Sequence, residues 1–175
     1  LPRPSADAIY TINNESIGIK TADCLPILVA HRSSSFVMAI HAGWKGFAAG
    51  ILHQGITYLV KELSFSFKDL YFLIGPAISQ KRFEVGPEVI AAFFDESNII
   101  DNQYKYLVVA PGKKDRCFLD LAKSAAICLI SQGVFPENIS VFATCTYDNP
   151  QMWHSFRRNG GKVCPSNYTW IGRTS

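Results

Sequence analysis

The chain has 175 residues, 48% of them hydrophobic and 18% charged, with 17 basic against 14 acidic side chains for a formal net charge of +3. That is enough for one domain with a substantial core. It has neither a long Lys/Arg block nor an apolar run of the roughly 18–20 residues a membrane span needs, so no nucleic acid or membrane partner is expected.

Short apolar runs alternate with helical patterns along the chain. Ala8–Thr11, Ile17–Lys20, Leu25–Ala30 and Phe36–His41 read as strands, the last two apolar on both faces as central strands are. Leu1-Pro2-Arg3-Pro4 runs directly into the first of them. From Trp44 to Leu63 the apolar spacing is that of one amphipathic helix, and Leu70–Gly75 is a further buried strand. Pro87 opens a second helix through Glu96. The polar segment Ser97–Arg116 is irregular, with a short strand at Tyr106–Ala110. A third helix covers Leu119–Gln132 and ends at Gly133; Ser140–Thr144 and Asn167–Ile171 close the series as strands. No repeat or linker interrupts the order, which predicts a single α/β domain over residues 1–175.

The five cysteines, Cys24, Cys117, Cys128, Cys145 and Cys164, are odd in number, widely spaced and without a Cys-x-x-Cys, so no disulfide framework is expected. The start lacks the basic and long apolar regions of a signal peptide. Together these features point to a cytoplasmic protein.

The stretch TADCLPILVAHRSSSFVMAIHAGWKG puts Cys24 before one strand and His41 at the end of the next. A hairpin whose turn is centred between Arg32 and Ser33 sets Cys24 directly opposite His41, with Cβ atoms about 4.5–5.5 Å apart. Such a pair can share one metal ion or act as nucleophile and base. Equally, Cys24 can be a small buried hydrophobe and His41 a hydrogen-bonded strand-end residue. Gly43, Lys45 and Gly46 follow at the mouth of a helix, where free backbone N–H groups attract anions.

The blocks TADCLPILVA, HAGWKGFAAGIL, GPAISQKRFEVGPEV and CTYDNPQMWHSFRRNG, in this order from about Ala6 to Ile171, resemble the YfiH family. Its members are also called laccase-domain, multicopper polyphenol oxidase or peptidoglycan-editing-factor proteins. The resemblance implies a layered α/β sandwich with mixed sheets, a fold said to be shared with bacterial toxin deamidases. It also implies a zinc site of one Cys and two His, of which Cys24 and His41 match two. The family's third ligand lies in a Gln-Val-His-like segment upstream of the strand that begins near Ala6, so the chain reads as lacking the family's N-terminal segment. His31, His53 and His154 are poor substitutes by position.

The implied activity is zinc-dependent phosphorolysis of adenosine, inosine, guanosine and methylthioadenosine, with adenosine deaminase activity beside it. Purine nucleoside and phosphate are then the partners, and the chain is a monomer or a homodimer. Copper is the alternative metal, from the older polyphenol oxidase assignment. Laccase chemistry, however, needs a trinuclear cluster rich in histidine, and this chain holds 4 His.

For phosphorolysis, Lys45 stands where the family commonly has Arg and would hold phosphate as a point charge. Gly43 would let the backbone approach the anion, and Arg157 and Arg158 are further cationic candidates. Phe83 offers a stacking face and Glu84 a carboxylate for a base. Cys145 either lines the pocket or is a structural thiol, and Asp23 either orients a ligand or caps the local turn. Two rivals remain open at this point: a metal-free cysteine hydrolase or deamidase using Cys24 and His41, and a non-catalytic binding module.

Overall fold

A computed structural model describes residues 6–96 and 99–173. Leu1 to Ser5, where the chain is expected to enter its first strand, lie outside the described residues, as do Ser97 and Asn98 at the opening of the predicted irregular segment. Strands β1 (Ala8–Thr11), β2 (Ile17–Thr21), β3 (Leu25–His31) and β4 (Val37–Ala42) fall where the alternation and the apolar runs put them.

The predicted helix Trp44–Leu63 is divided. It consists of α1 (Trp44–Ala48) and α2 (Ile51–Thr57), with α2 running on into a π turn at Tyr58–Glu62. The division falls at Gly50, whose φ of 84° is left-handed and breaks the helical path while the apolar spacing continues across it. Strand β5 (Leu70–Ile74) follows, then the two-residue β6 (Glu84–Val85), which the sequence does not announce. Next come α3 (Pro87–Ala91), extended by a π turn at Ala92–Glu96, and α4 (Lys105–Val108).

Helix α4 takes the place of most of the predicted strand Tyr106–Ala110. The Asp101 carboxylate accepts from the Gln103 N–H and starts a helical path, and extended structure begins only at β7 (Val109–Pro111). Strand β8 (Cys117–Leu119) leads to α5 (Leu121–Ser131), which starts two residues later than its apolar pattern because the Asp120 side chain caps it by accepting from the Lys123 N–H. Strand β9 (Ile139–Val141) is shorter than the predicted Ser140–Thr144, and β10 (Asn167–Ile171) ends the fold as expected.

The main sheet has the order β1-β4-β3-β5-β9, antiparallel except for the parallel pair β5 and β9. Helices α1 and α2 pack on β4, and α5 packs on β5 and α2. Met38 and Ile40 reach the helical side beneath Gly55, where an added methyl would meet Ile40 Cδ1 at 3.3 Å. Ile27, Val29, Phe72 and Ile74 join them in the core. The antiparallel ribbon β2/β10 packs against β3 and β4, and Leu28 and Leu73 share a groove with Thr169 and Trp170. A three-stranded sheet, β6-β8-β7, completes the fold. The result is a single layered α/β sandwich with mixed sheets. Among the described residues no helix is long and apolar enough to cross a membrane.

Candidate functional site

Cys24 immediately precedes β3, and His41 is the penultimate residue of β4. Pro26, not Cys24, stands opposite His41, and Leu25 stands opposite Ala42, so the observed register differs by two residues from the one expected. The cause is the turn. His31 Nδ1 accepts from the backbone N–H groups of Ser33 and Ser34, at 3.2 and 3.1 Å, and this moves the turn centre one residue along the chain. A shift of two preserves which face each side chain takes, so Cys24 and His41 remain on one side as diagonal neighbours.

The space between them belongs to Gly43. A methyl group on Gly43 would stand 3.0 Å from the Cys24 Sγ and 3.6 Å from the His41 Nε2. Thiol and imidazole therefore converge on one small volume that a glycine leaves open. Gly43 has an ordinary φ of −68°, so its requirement is for space and not for an unusual backbone. The other ring nitrogen, His41 Nδ1, lies 2.9 Å from the Asp7 Oδ1, and the His41 N–H donates to the Asp7 carbonyl at 2.7 Å. Continuing the β1 to β4 register by one residue makes Asp7 and His41 cross-strand partners.

Burial, with the nearby negative charges of Asp23 and Asp7, pushes the Cys24 thiol up to about 11. A thiol in this state is a poor nucleophile near neutral pH, and a bound cation would be needed to draw off its proton.

Cys24 opens onto a cleft of about 240 Å³ lined among others by Asp23, Trp44, Phe83 and Arg157. Asp23 ties it together. Its φ of 89° is left-handed, a strained choice for a non-glycine residue. Its carboxylate accepts from the Thr146 hydroxyl at 2.5 Å, the Ser155 hydroxyl at 2.9 Å and the Arg157 N–H at 2.7 Å. The residue beside Cys24 thus anchors a segment more than 120 positions away in sequence. The Arg157 guanidinium lies over the Phe83 ring, 5.4 Å from its centroid, and donates to the Glu84 carbonyl at 3.0 Å. Glu84 contributes its backbone to this contact.

The remaining candidates lie elsewhere. Arg158 spends its guanidinium on the carbonyls of Thr146, Tyr147 and Trp153, at 2.5–2.7 Å, as a clamp on its own loop. Lys45 is exposed, with its Nζ 5.6 Å from the centre of the Trp44 ring. The Cys145 Sγ accepts from the Ser79 N–H at 3.3 Å and faces a separate cavity of about 380 Å³ between β9 and α5. Of the other histidines, His31 packs on Phe65, His53 lies in a groove beside Cys128, and both backbone groups of His154 bond to the Asn167 side chain.

Among the described residues, no three His, Cys, Asp or Glu side chains gather as a metal cage. The pair nonetheless suits a metal. A thiol and an imidazole nitrogen, soft donors that zinc and copper both accept, border a volume that a Cβ would fill. They supply two of the three protein donors that a catalytic zinc commonly takes. Sequence reading found this pair and overlooked Asp7. The signal is present as an acidic residue just ahead of a strand, but its meaning depends on β1 pairing with β4, and the two are not consecutive strands.

Residues 2–172 match the protein family described as multi-copper polyphenol oxidoreductase laccase. Among relatives, a protein named purine nucleoside phosphorylase YfiH from Escherichia coli (strain K12) is 30% identical over 167 residues, which are 95% of this chain and 64% of that one. A purine nucleoside phosphorylase of Bacteroides thetaiotaomicron is 33% identical over 144 residues, 82% of this chain and 52% of that one. The crystal structure of the hypothetical protein YfiH of Bacillus licheniformis superposes with a TM-score of 0.88 at 26% identity, covering 97% of this chain and 62% of its own. That of YlmD from Geobacillus stearothermophilus gives 0.89 at 26% identity, covering 98% and 62%. The chain spans less than two thirds of the length of these curated relatives.

Proposed function

Because this chain belongs to the multi-copper polyphenol oxidoreductase laccase family, the YfiH family of its four sequence blocks, we propose that it is a domain of a zinc-dependent purine nucleoside phosphorylase. Adenosine, inosine, guanosine and methylthioadenosine are its substrates, with adenosine deamination beside phosphorolysis. The observation that supports this best is the convergence of the Cys24 Sγ and the His41 Nε2 on the space above Gly43, with Cys24 also lining a cleft walled by Trp44 and Phe83.

Cys24 and His41 would hold the zinc, together with a third donor from the Gln-Val-His-like segment that the family resemblance implies. When bound, the ion supplies a Lewis acid and an activated water for the hydrolytic reaction. In phosphorolysis, a phosphate oxygen bonds to the sugar C1′ while the glycosidic bond breaks and its electron pair leaves with the purine. The exposed Lys45 ammonium neutralises the incoming phosphate, and Phe83 and Trp44 give the purine apolar walls. Arg157, fixed over Phe83, shapes that wall and adds positive charge beside it. Gly43 keeps the approach open, Arg158 holds the loop that carries Arg157, and Cys145 steadies Ser79 behind the cleft.

The test is turnover of adenosine with and without phosphate, with metal analysis. It is run on the chain and on a longer form carrying the upstream segment of a relative. Phosphate-dependent release of adenine with bound zinc is expected. Zinc-free protein with no phosphorolysis in either form refutes the proposal, and oxygen uptake with a phenol by the copper-loaded protein would favour the oxidase.

One observation favours a second reading. Cys24, His41 and Asp7 follow in the order of a nucleophile, a base and an orienting carboxylate. Cys24→Ser separates the two readings. A ligand lost takes metal and activity together, whereas a nucleophile lost takes activity and leaves the metal content unchanged.

A further inference from the structure

We infer that Asp7 is a positioning residue: its carboxylate fixes His41 as the tautomer protonated at Nδ1, so that the Nε2 lone pair faces Cys24. Three features carry this. The Asp7 Oδ1 lies 2.9 Å from the His41 Nδ1. An ionised carboxylate only accepts hydrogen bonds, so this contact requires the proton to be on Nδ1. The backbone of Asp7 also receives the His41 N–H at 2.7 Å, so carboxylate and imidazole are held in register by the sheet itself. Nε2 is then left as an acceptor beside the one volume that Gly43 keeps empty.

The Asp7 and His41 side chains are 54% and 33% exposed, so the carboxylate contact by itself is that of a surface ion pair, and what sets it apart is the backbone bond and the neighbouring helix. An exposed pair has freedom to reorient, and such pairs contribute little. Here the second carboxylate oxygen of Asp7 lies near Gly46, at 3.6 Å from where a methyl group on that residue would stand. The carboxylate thus sits between the end of β4 and the first turn of α1. A carboxylate behind a metal-binding imidazole sets its tautomer and ring angle and raises its basicity, and losing one typically weakens metal binding by about 10–100-fold.

The orientation of His41 can be read without any metal, and only the affinity arm of the test rests on the zinc reading proposed above. Long-range proton–nitrogen correlation of the histidine rings, in the metal-free full chain at a pH where they are neutral, should show His41 protonated at Nδ1. Asp7→Ala should move His41 toward the Nε2-protonated form. Asp7→Asn, whose amide can turn either its oxygen or its NH2 to the ring, should loosen the preference and give a mixture of the two tautomers. The backbone amide shifts of Ile40 and His41 report whether β1 still pairs with β4, and Asp7→Asn provides the readout if Asp7→Ala unpairs them. In the second arm, competition with a chelator should show zinc bound roughly 10–100-fold more weakly by Asp7→Ala than by the parent.

A parent His41 protonated at Nε2 overturns the inference, as does a tautomer unmoved by Asp7→Ala in a paired sheet. Protein that binds no zinc even in the longer form, while its His41 shows the Nδ1 form, refutes the metal reading and supports the role of Asp7.

Discussion

At Gly43 a single hydrogen in place of a methyl group decides whether two donors can face each other. Gly43→Ala would place a carbon 3.0 Å from the Cys24 sulfur, tighter than ordinary van der Waals contact, so the thiol has to rotate away from His41. The backbone there is one that alanine adopts readily, so the fold should survive while zinc affinity drops by at least about tenfold, following the second-donor logic of the site. Equilibrium dialysis against a zinc buffer, beside a thermal melt, checks both halves. Lys45 makes the complementary case, since it lies outside the cleft lining and carries its charge in solvent. Lys45→Ala should weaken apparent phosphate affinity by up to about fivefold, the roughly 0–1 kcal/mol of an exposed charge contact, and leave adenosine deamination intact. Equal loss of both activities would mean that the lysine shapes the site generally. The pair Cys24 and His41 is legible in the sequence because residue type and strand order announce it. Asp7 is not, because nothing local reveals which strand an edge strand will join.

Among the elements, the break between α1 and α2 shows how a correct periodicity can conceal a wrong connection. Trp44, Phe47, Ala48, Ile51 and Leu52 continue one apolar face across Gly50, so the hydrophobic pattern reads as one helix. The φ of 84° at Gly50 nevertheless turns the chain between two helices. Gly50→Ala should cost about 1–2 kcal/mol, the penalty for a Cβ in the left-handed region. Chemical denaturation should show it as a lower midpoint at unchanged slope; a neutral or stabilising result would mean the two helices can join. The same limit explains α4, where a cap at Asp101 outweighs the strand preference of Tyr106–Ala110. It also explains β6 and β8, which are two and three residues long and owe their extended form to each other. Elements that bury a full face, such as β3, β4 and β5, are readable from their own residues, whereas elements made by a partner are not.

Over the whole molecule, two thiols, half-buried Cys24 and buried Cys128, tie stability to alkaline pH. Burial pushes both Cys24 and Cys128 up to about 11, and Asp23 and Asp7 add to it at Cys24, while a hydrogen bond from Gln132 opposes it at Cys128. The ordinary thiol value is 9.0, so the folded chain holds these protons more tightly than the unfolded one. Their contribution to stability is fully present below pH 9 and is lost as pH rises through about 11. The melting temperature of the metal-free chain should therefore fall between those values. Cys128→Ala, compared with its own neutral-pH melt, should show a shallower fall, and an unchanged slope would remove the assignment. The layered sandwich and its single-domain organisation follow from the alternation of strands and helices. The link from Asp23 to Thr146, Ser155 and Arg157 does not, since it joins segments that only the finished fold brings together. That fold also gives β1 a neighbour on one side only within the main sheet. Edge strands are where native chains open first in amide exchange, and β1 begins next to the carboxylate that faces His41. Each opening of β1 would release the imidazole for as long as it lasts, so donor readiness follows a local unfolding equilibrium. Deuterium uptake at Ile9 and Thr11, whose amides face β4 in the alternation set by the His41 to Asp7 bond, would then report on the site as directly as any assay of the metal.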